Sequence, residues 1–173
     1  LKEVSASINH GEIVAVMGRN GAGKSTLLHS IVGLHAPDHG EVSVNGEDPT
    51  TFKGASRRRA IGYVPQEPSD LLFASSVRDE CDLADSSNNL DAGSTASFLN
   101  RLVPHISLDT HPNDLSEGQR LAVVLSVVLS SNPEVLVLDE PTRGLDYRAK
   151  NLFAIALKEY AVQFNRPVLL ATH

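Results

Sequence analysis

The sequence predicts an α/β fold: a mainly parallel sheet covered by helices, interrupted by an inserted, mostly helical subdomain. Three observations predict it. Short apolar runs alternate along the chain with segments of helical length. The runs are apolar at successive positions rather than at every second one, as strands buried on both faces must be. Between residues 67 and 115 the alternation stops, and Pro68, Ser86, Asn89 and Gly93 break the pattern into helical pieces.

Composition sets the outer bounds. The 173 residues are enough for one domain with a core, and 41% hydrophobic content is ordinary for a soluble globular chain. Net charge is −6, and no basic face stands out beyond Arg57, Arg58 and Arg59, which read as a solvated face. No nucleic-acid partner is therefore expected. The longest apolar stretch, residues 121–129, is interrupted by Ser126 and falls far short of the roughly 18 residues of a membrane span. The opening "LKEVSASINH" lacks the apolar segment of a signal peptide. A lone Cys81 excludes an internal disulfide, fits a reducing cytosol and reads as a small packing residue.

The elements follow in order. "GEIVAVMG" (residues 11–18) is rich in Val and Ile and bounded by glycines, which predicts a buried strand. Residues 24–32 form the next helix. "GEVSVNGE" (40–47) alternates like a half-exposed strand, with a turn at Asn45-Gly46. Residues 60–64 are a short strand stopped by Pro65. Helical pieces are expected near 76–83 and 96–103, then a helix over 119–129. "VLVLDE" (135–140) is a continuous apolar strand ending in two acids. A long helix over 147–164 and a last strand, "PVLLATH" (167–173), complete the series.

The first strand runs into Gly18, Arg19, Asn20, Gly21, Ala22, Gly23, Lys24 and Ser25, followed by Thr26. This satisfies G-x-x-x-x-G-K-[ST] between a strand and a helix, the context the motif requires. Glycines let the loop turn its N–H groups around phosphate oxygens, and the helix start adds partial positive charge. Lys24 can reach the β- and γ-phosphates of ATP, and the Ser25 hydroxyl can ligate Mg²⁺. The predicted fold is thus a P-loop NTPase fold. Asp139 ends an apolar strand, where its carboxylate can face the metal. Adjacent side chains diverge on a strand, so Glu140 is free for a different task, the attacking water.

A second phosphate-seeking feature lies almost a hundred residues on. In "NDLSEGQRLAVVL" Ser116 precedes Gln119 by three residues, ahead of an apolar run. That is a capping box at a helix start. The box leaves Gly118 unexplained, because glycine in a first helical turn costs about 1 kcal/mol relative to Ala. Glycine there makes sense where something large approaches the backbone.

Taken in series, residues 18–26, Gln66, Leu115 to Gln119, residues 135–140, Gly144-Leu145-Asp146 and His173 resemble the ATP-binding cassette (ABC) ATPases in order and spacing. The resemblance covers nearly the whole chain, as a single cassette over 1–173 with a helical subdomain at 67–115. It implies that two cassettes pair head to tail, so that Ser116, Gly118 and Gln119 of one cap the γ-phosphate held by the other. It further implies that Gln66 contacts Mg²⁺ and the water, that His173 contacts the γ-phosphate, and that Asp146 links the two sites. The remaining histidines (His10, His29, His35, His39, His105, His111) read as solvated or structural.

Two residues depart from the family pattern. Glu117 replaces a glycine of the signature and is expected to point outward, towards Arg120. Arg143-Gly144-Leu145-Asp146 replaces the commoner Ser-Ala-Leu-Asp. The family pattern also places strands before Leu1, with an adenine-stacking aromatic, and more strands after His173, so the chain reads as a cassette cropped at both ends.

"QEPSDLLFASSVRDE" (66–80) and "DEPTRGLD" (139–146) resemble the ATPases of energy-coupling-factor (ECF) importers. This implies a peripheral subunit on the cytoplasmic side of the cell membrane. It would be joined to a second cassette and to a transmembrane subunit, and would energise uptake of a vitamin or metal ion. Leu71, Leu72 and Phe73 lie where such proteins dock a membrane helix, and Leu71 or Leu72 fits a core position equally well. The alternatives are a soluble ABC ATPase acting on ribosomes or DNA, for which residues 66–116 leave no room for a coiled-coil insertion, and an exporter cassette.

Overall fold

The structure, a computed structural model, describes residues 4–173. Residues 1–3, the start of the segment read as lacking a signal peptide, lie outside the described residues. Four parallel strands, β1 (Ile13–Met17), β2 (Ile61–Val64), β3 (Val135–Asp139) and β4 (Val168–Thr172), form one sheet in the order β1-β4-β3-β2. The helices are α1 (Lys24–Ile31), α2 (Gly54–Ala60), α3 (Val77–Asn88), α4 (Ser94–Leu102), α5 (Glu117–Leu129) and α6 (Tyr147–Gln163). Because all strands run the same way, their carboxyl ends line one rim of the sheet.

Alternation along β3 shows why the strands are apolar throughout. Leu136 and Leu138 pack with Leu121, Leu125, Phe153 and Leu157 from α5 and α6. Val137, pointing the other way, packs with Leu28 and Val32 from α1. Each fully buried Leu of this kind contributes about 2 kcal/mol of transfer free energy. A third cluster joins Val77, Cys81 and Leu99 to Leu115, Ala122 and Val123, so α3 and α4 pack onto the first half of α5.

Three expectations need correction. The run at 11–18 is an edge strand rather than a buried one: among the described residues β1 pairs only with β4, leaving Ile13 43% and Met17 71% exposed. Residues 40–47 form no strand. The Asn45-Gly46 turn is present, with φ of 52° and 84°, but only the bridge Val44–Glu47 flanks it, because no other strand among the described residues lies beside it. The helical piece expected near 76–83 runs further, to Asn88, and the break falls inside "SSNN" as expected. Asn88 donates to the Ala84 carbonyl and to Ser130 Oγ, and the helix ends one residue later, at left-handed Asn89. The triple arginine lies on α2 with Arg58 and Arg59 exposed, as expected of a solvated face, while half-buried Arg57 donates to the Val32 carbonyl at 2.9 Å.

Candidate functional site

The sheet's carboxyl rim assembles one cavity. Gly18 to Gly23 follow β1, Gln66 follows β2 after Pro65, Asp139 ends β3, and His173 follows β4. A cavity of about 810 Å³ is lined by Asn20, Gly21, Lys24, Ser25, Gln66, Glu140 and His173 among others. Ligands in open α/β sheets bind at this end.

Each side chain is placed by its local backbone. Gly23, at φ 93°, starts α1 without a side-chain cap, and the first bond closing the helix is Leu27 N–H to the Gly23 carbonyl at 2.9 Å. The N–H groups of Lys24, Ser25 and Thr26 therefore precede the helix's own hydrogen bonding and face the phosphate-binding end. Lys24 is buried. Its Nζ donates to the Gly18 carbonyl at 2.9 Å and lies 3.4 Å from Glu140 Oε1. His173 Nε2 lies 3.0 Å from the same oxygen. Glu140 sits at a left-handed φ of 47°, unusual for a residue with a long side chain, and this turns its carboxylate from the end of β3 into the cavity.

Asp139 is 2% exposed, and its Oδ1 is buried without a hydrogen-bond partner. An orphaned buried carboxylate oxygen is costly unless a cation meets it. Asp139, together with the Ser25 hydroxyl that lines the cavity, thus fits a hard divalent cation such as Mg²⁺. Behind them the Tyr63 hydroxyl is pushed up to about 12, first by burial and then by the charge of Asp139. His29 Nε2 lies 3.1 Å from that hydroxyl, a packing contact beneath the cavity.

Ser116, Gly118, Gln119 and Asp146 are not in this cavity. They line a separate groove of about 530 Å³ between α4, α5 and α6, whose walls include Leu102, Leu121 and Phe153. The capping box is formed: Ser116 Oγ accepts from Gln119 N–H at 3.3 Å, and Gln119 Oε1 accepts from Ser116 N–H at 3.0 Å. Gly118 has a reason within the chain. A Cβ there would lie 3.1 Å from Ala149 Cβ of α6. Asp146 caps α6, accepting from Ala149 N–H at 2.7 Å. Glu117 turns outward and pairs with Arg120 at 3.1 Å.

Buried Glu80 accepts hydrogen bonds from the N–H groups of Phe73 and Ala74, which leaves Phe73 85% exposed while Leu71 and Leu72 pack inward. Burial and the neighbouring acids Asp85, Asp82 and Glu80 push the Cys81 thiol up to about 11, so it stays protonated in the core. Sequence reasoning missed Thr142, Arg143 and Lys150 as cavity-lining residues. Thr142 lies just past the strand-end acids and Lys150 in the first turn of α6, where no local pattern marks them, while Arg143 stands out only as a departure from the family pattern.

A parallel sheet that brings a glycine-rich loop, a buried lysine and two strand-end carboxylates to one rim defines the nucleotide-binding end of a P-loop ATPase. The ABC transporter family model matches residues 1–143, and the chain belongs to that family as an ATP-binding cassette, an ATPase domain. A provisionally named ABC transporter ATP-binding protein of Streptomyces avermitilis is 47% identical over the whole chain, which spans only 31% of that relative's length. The energy-coupling factor transporter ATP-binding protein EcfA1 of Methanospirillum hungatei is 30% identical over 100% of this chain and 64% of its own length. Among solved structures, a dimeric ATP-binding cassette in a post-hydrolysis state, bound to ADP and Pi, matches with a TM-score of 0.85 at 27% identity. That match covers all of this chain and 79% of the other. No helix among the described residues is long and apolar enough to cross a membrane.

Proposed function

We propose that the chain is the ATP-binding and ATP-hydrolysing cassette of a membrane importer of the ECF type, energising uptake of a vitamin or metal ion from the cytoplasmic face of the membrane. The observation that carries the ATPase chemistry is the convergence of Lys24 and His173 on Glu140 beside the orphaned Asp139 oxygen. The ECF assignment draws support from the EcfA1 relative and from exposed Phe73, held out by Glu80 where a transmembrane subunit would dock. In this reading residues 67–115 are the helical subdomain that carries this contact.

The chain's residues divide the work. The N–H groups from Asn20 to Thr26 hold phosphate oxygens, and Lys24 exchanges the Gly18 carbonyl and Glu140 for the β- and γ-phosphates. Mg²⁺, held by Ser25, Asp139 and Gln66, would neutralise phosphate charge as the β–γ bond breaks. Relieved of Lys24, Glu140 accepts a proton from the water whose oxygen bonds to the γ-phosphorus, while ADP leaves with the bridging oxygen. Gln66 orients that water, and His173 holds Glu140 and contacts the γ-phosphate. Ser116, Gly118 and Gln119 serve the nucleotide of a second cassette, like or unlike this one, and Asp146 links the two sites.

Glu140→Gln tests the assignment. Glutamine keeps the shape and loses the charge, so ATP affinity is expected to hold while steady-state turnover of the full-length protein falls by about a hundredfold or more. Turnover near the wild-type rate refutes Glu140 as the residue that activates water.

A further inference from the structure

Arg143 joins two segments that hydrolysis needs in register. Its Nη1 lies 3.2 Å from Glu67 Oε1. Glu67 directly follows Gln66, and its carbonyl accepts from Asp70 N–H at 3.1 Å, opening the short turn Pro68–Leu71 that leads to Phe73. On its other side, Arg143 N–H donates to the Glu140 carbonyl at 3.1 Å and closes the turn that begins at left-handed Glu140. One residue thus holds the Glu140 turn through its backbone and the Gln66 segment through its side chain. Arg143 also stands between two spaces, lining both the nucleotide cavity and a cleft of about 210 Å³ shared with Gln66, Glu67 and Glu117. Its neighbour Gly144, at φ 74°, has Glu117 Cγ 3.4 Å from where a Cβ would stand, so α5 abuts the same turn.

We propose that Arg143 is a positioning residue for ATP hydrolysis: through Glu67 it holds Gln66 against the turn that carries Glu140. The proposal rests on the roles given above to Gln66 and Glu140. Both partners are more than half exposed, at 60% and 62%. So exposed an ion pair adds little to stability and is screened by salt. Its removal should therefore register in the reaction rather than in the fold.

The test measures steady-state ATPase rate and nucleotide affinity of the full-length protein carrying Arg143→Ala, Glu67→Gln, the swapped pair Arg143→Glu with Glu67→Arg, or Glu140→Gln. Each single change at the ion pair is expected to lower kcat about threefold to fivefold, with KM and nucleotide affinity nearly unchanged. The swapped pair is expected to recover most of the loss. Raising salt from about 0.05 M to about 0.5 M should slow wild type proportionately more than Arg143→Ala. Wild-type kcat in Arg143→Ala, a swapped pair no better than the singles, or a loss confined to KM overturns the proposal. Glu67→Gln carries the test alone if Arg143→Ala fails to fold. An inactive Glu140→Gln beside a fully active Arg143→Ala rejects only this proposal. An active Glu140→Gln rejects the reading beneath it.

Discussion

Helix α1 starts on Gly23, which has a left-handed backbone and no side chain to cap anything; helix α5 starts on Ser116, whose hydroxyl and partner Gln119 close the first turn from both sides. Both starts carry the partial positive charge of a helix dipole. In α1 the leading N–H groups are left for a ligand. In α5 one of the corresponding donors, Gln119 N–H, is already engaged by the Ser116 hydroxyl, and Gly118 is committed to close packing against Ala149. An open helix start needs its ligand to be satisfied, whereas a capped one is satisfied in part by its own side chains. Such a closed start can still lend the Ser116 hydroxyl proton to something arriving from outside, because Ser116 Oγ only accepts in its capping bond. The difference suits one nucleotide held within the chain and a second met across an interface.

The largest effect that would sharpen this contrast is on affinity. Lys24→Ala removes the charge that serves the open start. Hydrogen bonds to charged groups contribute about 1.5–3 kcal/mol, so ATP binding should weaken about tenfold to a hundredfold. Gln119→Ala, at the closed start, should leave affinity unchanged. A nucleotide titration that finds equal losses breaks the contrast. A middle-sized effect is on stability. Gly118→Val forces a branched side chain against Ala149, where even a Cβ has 3.1 Å, and should cost about 2–3 kcal/mol by overpacking. Gly21→Ala meets no atom within 4 Å and should cost only about 1 kcal/mol of left-handed backbone strain at φ 80°. Urea denaturation of the two variants orders them, and the reverse order would show that α6 does not close the α5 start.

Much of this was legible in the sequence because it rests on local patterns. The loop into Lys24, the acids ending β3 and the box at Ser116 each lie within a few residues, and the structure places them as the spacing implied. What escaped was decided between distant segments. Whether 11–18 is buried depends on which strands flank it. Whether 40–47 becomes a strand depends on a neighbour to pair with. The extension of α3 beyond residue 83 is tied down at Asn88 by Ser130, which lies 42 residues away. The reason for Gly118 is Ala149, and the pairing of Arg143 with Glu67 spans 76 positions. Fold class follows from periodicity, but edges, terminations and ion pairs follow from tertiary contact.

The smallest expected effect separates the two meanings of Ser116. As a cap alone, Ser116→Ala should cost about 1 kcal/mol of stability, and activity should survive wherever the protein stays folded. As a donor to a partner's γ-phosphate, the same change should also slow turnover while affinity at the chain's own loop holds. Mixed pairs decide the geometry. One cassette carries Ser116→Ala and its partner Lys24→Ala. If the signature acts in trans, both lesions fall on one nucleotide and the other site is whole, so the mixed pair should outperform either homogeneous mutant pair. If it acts in cis, each site carries one lesion and no rescue follows. A wild-type cassette paired with the double mutant reverses the logic: in trans both sites are damaged, and in cis one is whole. An inactive mixed pair beside an active wild-type/double-mutant pair would place Ser116 at its own chain's nucleotide and remove the reason for two differently built helix starts.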